Sequence, residues 1–272
     1  MTNTYLQQFN KEHLRASQLK QLEMLKVIVQ ICERHNLTYW LDAGSLLGAV
    51  RHGGFIPWDD DMDIAMPKED MERFAQIAEK ELPSHLFVQN KQTDKGYRFQ
   101  HYKVVDKNSF YVQPDDDFES SYQKGLFIDI FPYIDYPSLP NCVKKKYLRG
   151  MCVAYSVLHS KHYYSWTSTA KLFWFGLKNI TFKGIWFLLP KQKKYFSCLP
   201  SNNWHGMVQL REDILPVSKI TFEGIEFNAP HNPDAYLKKL YKDYMQLPPE
   251  DKRAIHSVFI QPELTKKLLC EY

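Results

Sequence analysis

Between Tyr136 and Arg211 the chain has no aspartate or glutamate, against 12 lysines and arginines. Cysteine is also scarce: Cys32, Cys142, Cys152, Cys198 and Cys270 are odd in number and form no Cys-x-x-Cys pair. That argues against a disulfide framework and a zinc knuckle, and fits a reducing compartment. No apolar run approaches the roughly 20 residues that span a bilayer. The first residues, through Lys11, are polar and have no signal-peptide core. The expectation is a cytoplasmic protein, peripheral at most to the inner face of the membrane.

The acid missing from the middle is concentrated upstream. Residues 1–135 hold 15 basic and 21 acidic side chains, and residues 212–272 hold 8 and 10. The net charge of +4 therefore conceals an acidic part joined to a basic one rich in aromatics. We divide the chain into a catalytic core (1–135), a basic aromatic helical insertion or subdomain (136–211), and a C-terminal segment (212–272) that packs on the core and completes the substrate site. No nucleic-acid module accompanies the basic middle, so nucleic acid is not an expected partner.

Asp59, Asp60, Asp61 and Asp63 fall within five positions. At about 4 Å, two like charges repel by about 4 kcal/mol even at an effective dielectric of 20. Such a cluster must splay into water, take up protons or hold a cation. Acidic runs alone usually mark solvated turns, but this one leads directly into Ile64, Ala65 and Met66. In a strand, Asp61 and Asp63 share one face while Met62 and Ile64 fill the other. Two carboxylates with no base between them suit a hard cation, Mg²⁺ or Mn²⁺. Upstream, residues 38–41 read as a strand, Gly44-Ser45 as a tight entry to a short helix, and Gly53-Gly54 as its stop. A Gly-Ser helix entry offers backbone N–H groups to phosphate oxygens. Either signal alone is weak; in this order they describe a metal-and-phosphate arrangement.

The remaining chain frames that unit. Residues 11–35 predict a core-packing helix, with Leu14, Leu22, Leu25, Ile28 and Cys32 on one face and Asn36 as its end. Residues 67–82 predict a second helix burying Met71, Phe74 and Ala78. Strands are predicted at 86–89 and 97–104, the latter offering Arg98 or Lys103 to a phosphate. Lys124 to Pro132 is an apolar strand interrupted by Asp129. A buried carboxylate without a partner costs several kcal/mol, so Asp129 needs a basic neighbour or the metal site, and we assign it to the latter. Asp135 reads as a turn residue. The basic middle reads as mostly helical: either a buried subdomain with a solvated lysine face or a segment lying on anionic lipid. A hairpin at 222–230, a helix at 233–244 and a short helix carrying Arg253 and His256 complete the prediction.

With these residues in view, the chain resembles the LicD family of phosphorylcholine transferases, which are related to fukutin-related proteins. Three motifs carry the resemblance: LDAGSLLGAVRHGGFIPWDDDMDIAM, KGLFIDIFPYID and FEGIEFNAPHNPDAYLKKLYKDYMQLPPEDKR, within positions 41 to 253. The chain departs at Lys242, where a glycine is expected. The resemblance implies an α/β (α+β) polymerase-beta-type nucleotidyltransferase fold, a small mixed sheet flanked by helices. It implies transfer of phosphocholine from CDP-choline to a sugar hydroxyl of a cell-surface glycan or its lipid-linked precursor, such as a teichoic acid, with release of CMP. Asp61, Asp63 and Asp129, with Asp59, would then hold Mg²⁺ (or Mn²⁺). Gly44, Ser45, Arg51, Lys103 and Arg253 would bind substrate. The alternatives are a same-fold transferase of a polyol phosphate or nucleotide, and a non-catalytic protein that binds anionic glycans.

Overall fold

The computed structural model describes residues 4–114, 122–160, 165–203, 205–253 and 255–264. Cys270 lies outside them, and Cys32, Cys142, Cys152 and Cys198 are free thiols. Helix α1 (Thr4–Arg34) begins earlier than its apolar spacing predicts, and buries the five expected side chains. Asn36 turns the chain at φ 52°, a conformation asparagine tolerates better than most residues. Strand β1 (Trp40–Leu41) leads into α2 (Ala43–His52), which Gly53 stops at φ 69° as expected. Next come β2 (Asp63–Pro67) and α3 (Lys68–Glu81), whose buried face is Met71, Phe74 and Ala78. Strands β3 (Leu86–Gln89), β4 (Tyr102–Asp106) and β5 (Phe110–Val112) follow. The strand predicted from residue 97 starts only at Tyr102, and Tyr97 to His101 approach it irregularly.

The long strand β6 (Phe127–Pro137) crosses the centre of the molecule. Asp135 lies within it, at a shift of register, paired with Arg211, and so is not a turn residue. The basic middle forms α4 (Asn141–His159), α5 (Trp166–Leu188) and β7 (Lys191–Cys198), and β7 pairs with the second half of β6. After β8 (Gln209–Leu210) and the short α6 (Arg211–Ile214), β9 (Ser218–Phe222) and β10 (Ile225–Ala229) form a hairpin that starts earlier than predicted, residues 222–230 supplying only its turn and second strand. Its two-residue loop, Glu223-Gly224, has positive φ at both positions, the twist that suits antiparallel strands. Helix α7 (Pro233–Tyr241) is capped by the Asn232 side chain. The predicted short helix is a single tight turn, Glu250–Lys252, before the last strand β11 (Phe259–Gln261) pairs with β5.

The main sheet has the order β1-β2-β6-β4-β3, with β7 and β8 continuing from the far half of β6. Only β2 and β6 are parallel; the other pairs are antiparallel. Helices α1 and α3 close one hydrophobic core around Trp40, Ile64, Met66, Phe74, Val104 and Ile128. A smaller cluster, Tyr136, Leu148 and Val208 with Trp186 against it, ties α4 and α5 to the sheet. This small mixed sheet flanked by helices, with an added helical unit, is the α/β architecture expected. No described helix is long and apolar enough to cross a membrane.

Candidate active site

The register of three strands assembles the site. Asp63 of β2 lies beside Asp129 of β6, and Lys103 of β4 lies beside Asp129 on the other side. Laterally paired residues in a sheet project to the same face, so two carboxylates and an ammonium form one row. Asp42, just past β1, extends it through an N–H bond to the Asp63 carbonyl, 3.1 Å. The Asp129 Oδ1 atom lies 3.3 Å from both Lys103 Nζ and His101 Nε2. Those contacts are longer than the 2.7–2.9 Å common for charge-assisted hydrogen bonds. Burial pushes the Asp129 carboxyl up, but the lysine and histidine outweigh it and hold it ionised.

The rest of the cluster is less compensated. Ligand-capable atoms of Asp59, Asp60, Asp61 and His256 all lie within 4.8 Å of one another. Burial, then the charges of Asp61 and Asp60, push the Asp59 carboxyl up to about 8. Burial and the charges of Asp60 and Asp129 push Asp61 to about 6, although His256 and Lys103 oppose them. Asp63 is also raised well above the carboxylate range, by burial first and then by Asp61 and Asp129. An array of oxygens that resists holding its negative charge by itself suits a hard divalent cation. The atoms close enough to share such an ion belong to Asp59, Asp60, Asp61 and His256, whereas Asp129 has the basic neighbours Lys103 and His101.

Asp60 does something else. Fully buried, it accepts from Tyr111 Oη at 3.0 Å and from the backbone N–H groups of His256 and Ser257 at 3.1 and 2.7 Å. It therefore pins the C-terminal segment beside the cluster. Helix α1 fastens the loop from behind. Gln18 donates to the carbonyls of Ile56 and Asp59, and Gln21 to those of Asp60 and Phe127. These two buried glutamines, one turn apart, make α1 more than packing.

Gly44 and Ser45 sit in the first turn of α2 rather than before it, because Asp42 is the cap. A Cβ on Gly44 would approach Asp59 Oδ2 to 2.8 Å, so this glycine makes room for a carboxylate. The Ser45 hydroxyl accepts from the Asp63 N–H at 2.8 Å, fixing α2 to β2. Of the first-turn N–H groups of α2, which have no preceding helical carbonyl to meet, that of Ala43 is taken by Asp42, and Gly44 lines the adjoining cleft. Asp42 accepts from the Ala43 N–H and from the hydroxyls of Tyr236 and Tyr133. Burial still raises its pKa against those bonds.

A cleft of about 540 Å³ opens over this arrangement, lined by Gly44, Arg51, Trp58, Asp61, Tyr241 and His256 among others. Arg51 donates to the Tyr244 carbonyl at 2.9 Å. Burial, then the nearby charge of Arg253, lowers its pKa. Arg253 lies 5.0 Å over the Trp58 ring and donates to the Pro248 carbonyl. Thus Gly44, Arg51, Asp59, Asp61 and Asp63 line the cleft, Ser45 is turned to the backbone of β2, Arg253 lines a neighbouring cavity that shares Trp58, and buried Lys103 serves Asp129. The reading of the sequence passed over Asp42, although an aspartate before an apolar helix is a capping signal. It also gave no role to His101 or Tyr241, which only the folded chain brings to the site.

The sheet thus aligns acidic side chains beside the N-terminus of α2. Residues 36–192 match the family model described as LicD/FKTN/FKRP, nucleotidyltransferase domain, and the chain belongs to that family. It is 28% identical over 268 residues to lipopolysaccharide cholinephosphotransferase LicD of Haemophilus influenzae, covering 90% of this chain and 96% of that protein. It is also 34% identical over 115 residues to the human ribitol 5-phosphate transferase FKRP, covering 42% of this chain and a 20% share of that one.

Proposed function

We propose that the protein is a metal-dependent phosphotransferase that moves phosphocholine from CDP-choline to a sugar hydroxyl of a cell-surface glycan or its lipid-linked precursor, releasing CMP. The observation that carries this reading is the lateral row of Asp63, Asp129 and Lys103, set against Asp59 and Asp61. Similarity to the Haemophilus cholinephosphotransferase over nearly both lengths supports choline as the transferred alcohol. Asp59, Asp61, Asp63 and Asp129 would hold Mg²⁺ or Mn²⁺, which when bound supplies charge neutralisation on the diphosphate.

The acceptor hydroxyl oxygen forms a bond to the phosphorus that bears choline, and the bond from that phosphorus to the oxygen of CMP breaks. The hydroxyl proton leaves to a carboxylate of the cluster or to water. Arg51 and the N–H groups of Gly44 and Ser45 hold phosphate oxygens, and Arg253 adds positive charge beside Trp58. Lys103 and His101 keep Asp129 ionised. Positioning and electrostatic stabilisation do most of such a reaction. Aromatic faces near the cleft, Trp58 and Tyr241, offer cation–π attraction to a quaternary ammonium.

The test is CMP release by purified protein with Mg²⁺, CDP-choline and a choline-free teichoic acid or lipopolysaccharide acceptor, beside Asp61→Asn and Asp63→Asn. Magnesium-dependent release abolished in both variants is the expected result. Similarity to the ribitol 5-phosphate transferase favours CDP-ribitol as the second donor to try. Turnover of CDP-ribitol in place of CDP-choline would replace the choline assignment.

A further inference from the structure

Helix α5 is 23 residues long, about 34 Å, and none of its side chains is buried. Trp166, Phe173, Ile180, Phe187 and Leu188 are between 69% and 92% exposed, and Trp174, Leu177 and Ile185 are also exposed. At 100° per residue these positions fall on one side of the helix. The opposite side faces the protein. There the Phe182 ring lies 5.3 Å from that of Tyr147, and the Trp186 ring 4.9 Å from that of Tyr136. The same spacing puts Lys171 and Lys178 along one edge of the outer apolar stripe and Lys183 along the other. Lys178 lays its ammonium group over the Trp174 and Phe175 rings, at 4.9 and 5.1 Å. No acidic residue occurs anywhere from 136 to 211.

We infer that α5 docks the protein on an anionic phospholipid surface, lying in the plane of the interface. Exposed apolar patches of this extent mark interaction sites. Aromatic and aliphatic residues on one face with lysines at its edges describe an interfacial helix. Charge selects the occupant. A second copy of this face would set lysines against lysines, whereas an anionic bilayer meets them with opposite charge. This inference stands apart from the choice of donor, because it rests on α5 and not on the carboxylate cluster. It accords with an acceptor that is built on a lipid.

The test is sedimentation of the full-length chain with vesicles of phosphatidylcholine, with and without phosphatidylglycerol, and its tryptophan emission in each. Binding to the anionic vesicles with a blue shift is the expected result. A Lys171→Gln, Lys178→Gln, Lys183→Gln triple variant should bind on the order of a hundredfold more weakly, at roughly fivefold per lysine. Phe173→Glu with Phe187→Glu should abolish binding while circular dichroism stays unchanged, since neither ring packs inside the fold. Failure to bind anionic vesicles, or equal binding by parent and variants, would overturn the inference. So would a dimer in sedimentation analysis that Phe187→Glu converts to monomer, because the stripe would then belong to a second copy.

Discussion

Replacing a half-buried charged residue usually destabilises a protein, but Asp61→Asn should do the reverse when divalent cations are chelated. Asp61 stands among Asp59, Asp60, Asp63 and Asp129, and its carboxyl is raised from 3.8 to about 6. Ionising it at pH 8 therefore costs the fold about 3 kcal/mol. Direct repulsion gives a similar size: charges within 4.8 Å of one another repel by at least roughly 3.5 kcal/mol at an effective dielectric of 20. The amide removes the charge while keeping the shape. Up to about 3 kcal/mol of stability should return, a rise in melting temperature of roughly 6–12 °C.

Because the folded pKa lies above the unfolded one, protonated Asp61 favours the fold below about pH 4. That contribution disappears as pH rises through about 6. Asp59 extends the same loss to about 8. The chelated parent should therefore lose these two contributions between about pH 4 and 8, Asp61's by about pH 6 and Asp59's by about pH 8, and Mg²⁺ should restore stability by a few kcal/mol at saturating concentration. Thermal unfolding of parent and variant, each in chelator and in Mg²⁺, measures all four terms. A variant less stable than the parent in chelator at pH 8, or one that gains as much from Mg²⁺, would refute the reasoning.

Three further outcomes follow from particular contacts. Lys103→Met removes a cation 3.3 Å from buried Asp129 and should cost about 3–5 kcal/mol in urea unfolding, since the carboxylate loses a partner in low dielectric. Asp60→Asn leaves one acceptor oxygen for the Tyr111 hydroxyl and two backbone N–H groups. Amide exchange across β11 should then quicken, with a loss of about 1.5–3 kcal/mol. Lys242 ends α7 at φ 58°, where a side chain is strained by about 1 kcal/mol. Lys242→Gly should thus raise the denaturant midpoint, and an unchanged or lower midpoint would show that the lysine side chain compensates.

Much of the architecture was legible along the chain because it follows from local periodicity. The apolar faces of α1 and α3, the glycine stop of α2 and the hairpin turn at Glu223-Gly224 each follow from a few neighbouring residues. So does the departure at Lys242: the resemblance expects glycine there, and the backbone takes the conformation glycine prefers. Local reasoning misplaced what depends on distant partners. Asp135 looked like a turn after proline, but Arg211, far along the chain, holds it inside β6. Residues 97–101 alternate like a strand, yet β4 starts only at Tyr102.

By itself the sequence determined that several aspartates and a Gly-Ser turn lie in one supersecondary unit, and that the middle is basic and aromatic. It did not determine which charges meet. Only the parallel register of β2 with β6 sets Asp63 beside Asp129, and only the antiparallel register with β4 brings in Lys103. Likewise, composition left the middle helix either buried or lipid-facing, and the packing of Phe182 and Trp186 decided which side remains open. A strand's face is settled by its own alternation, but its neighbour is settled by the long-range pairing of the whole sheet.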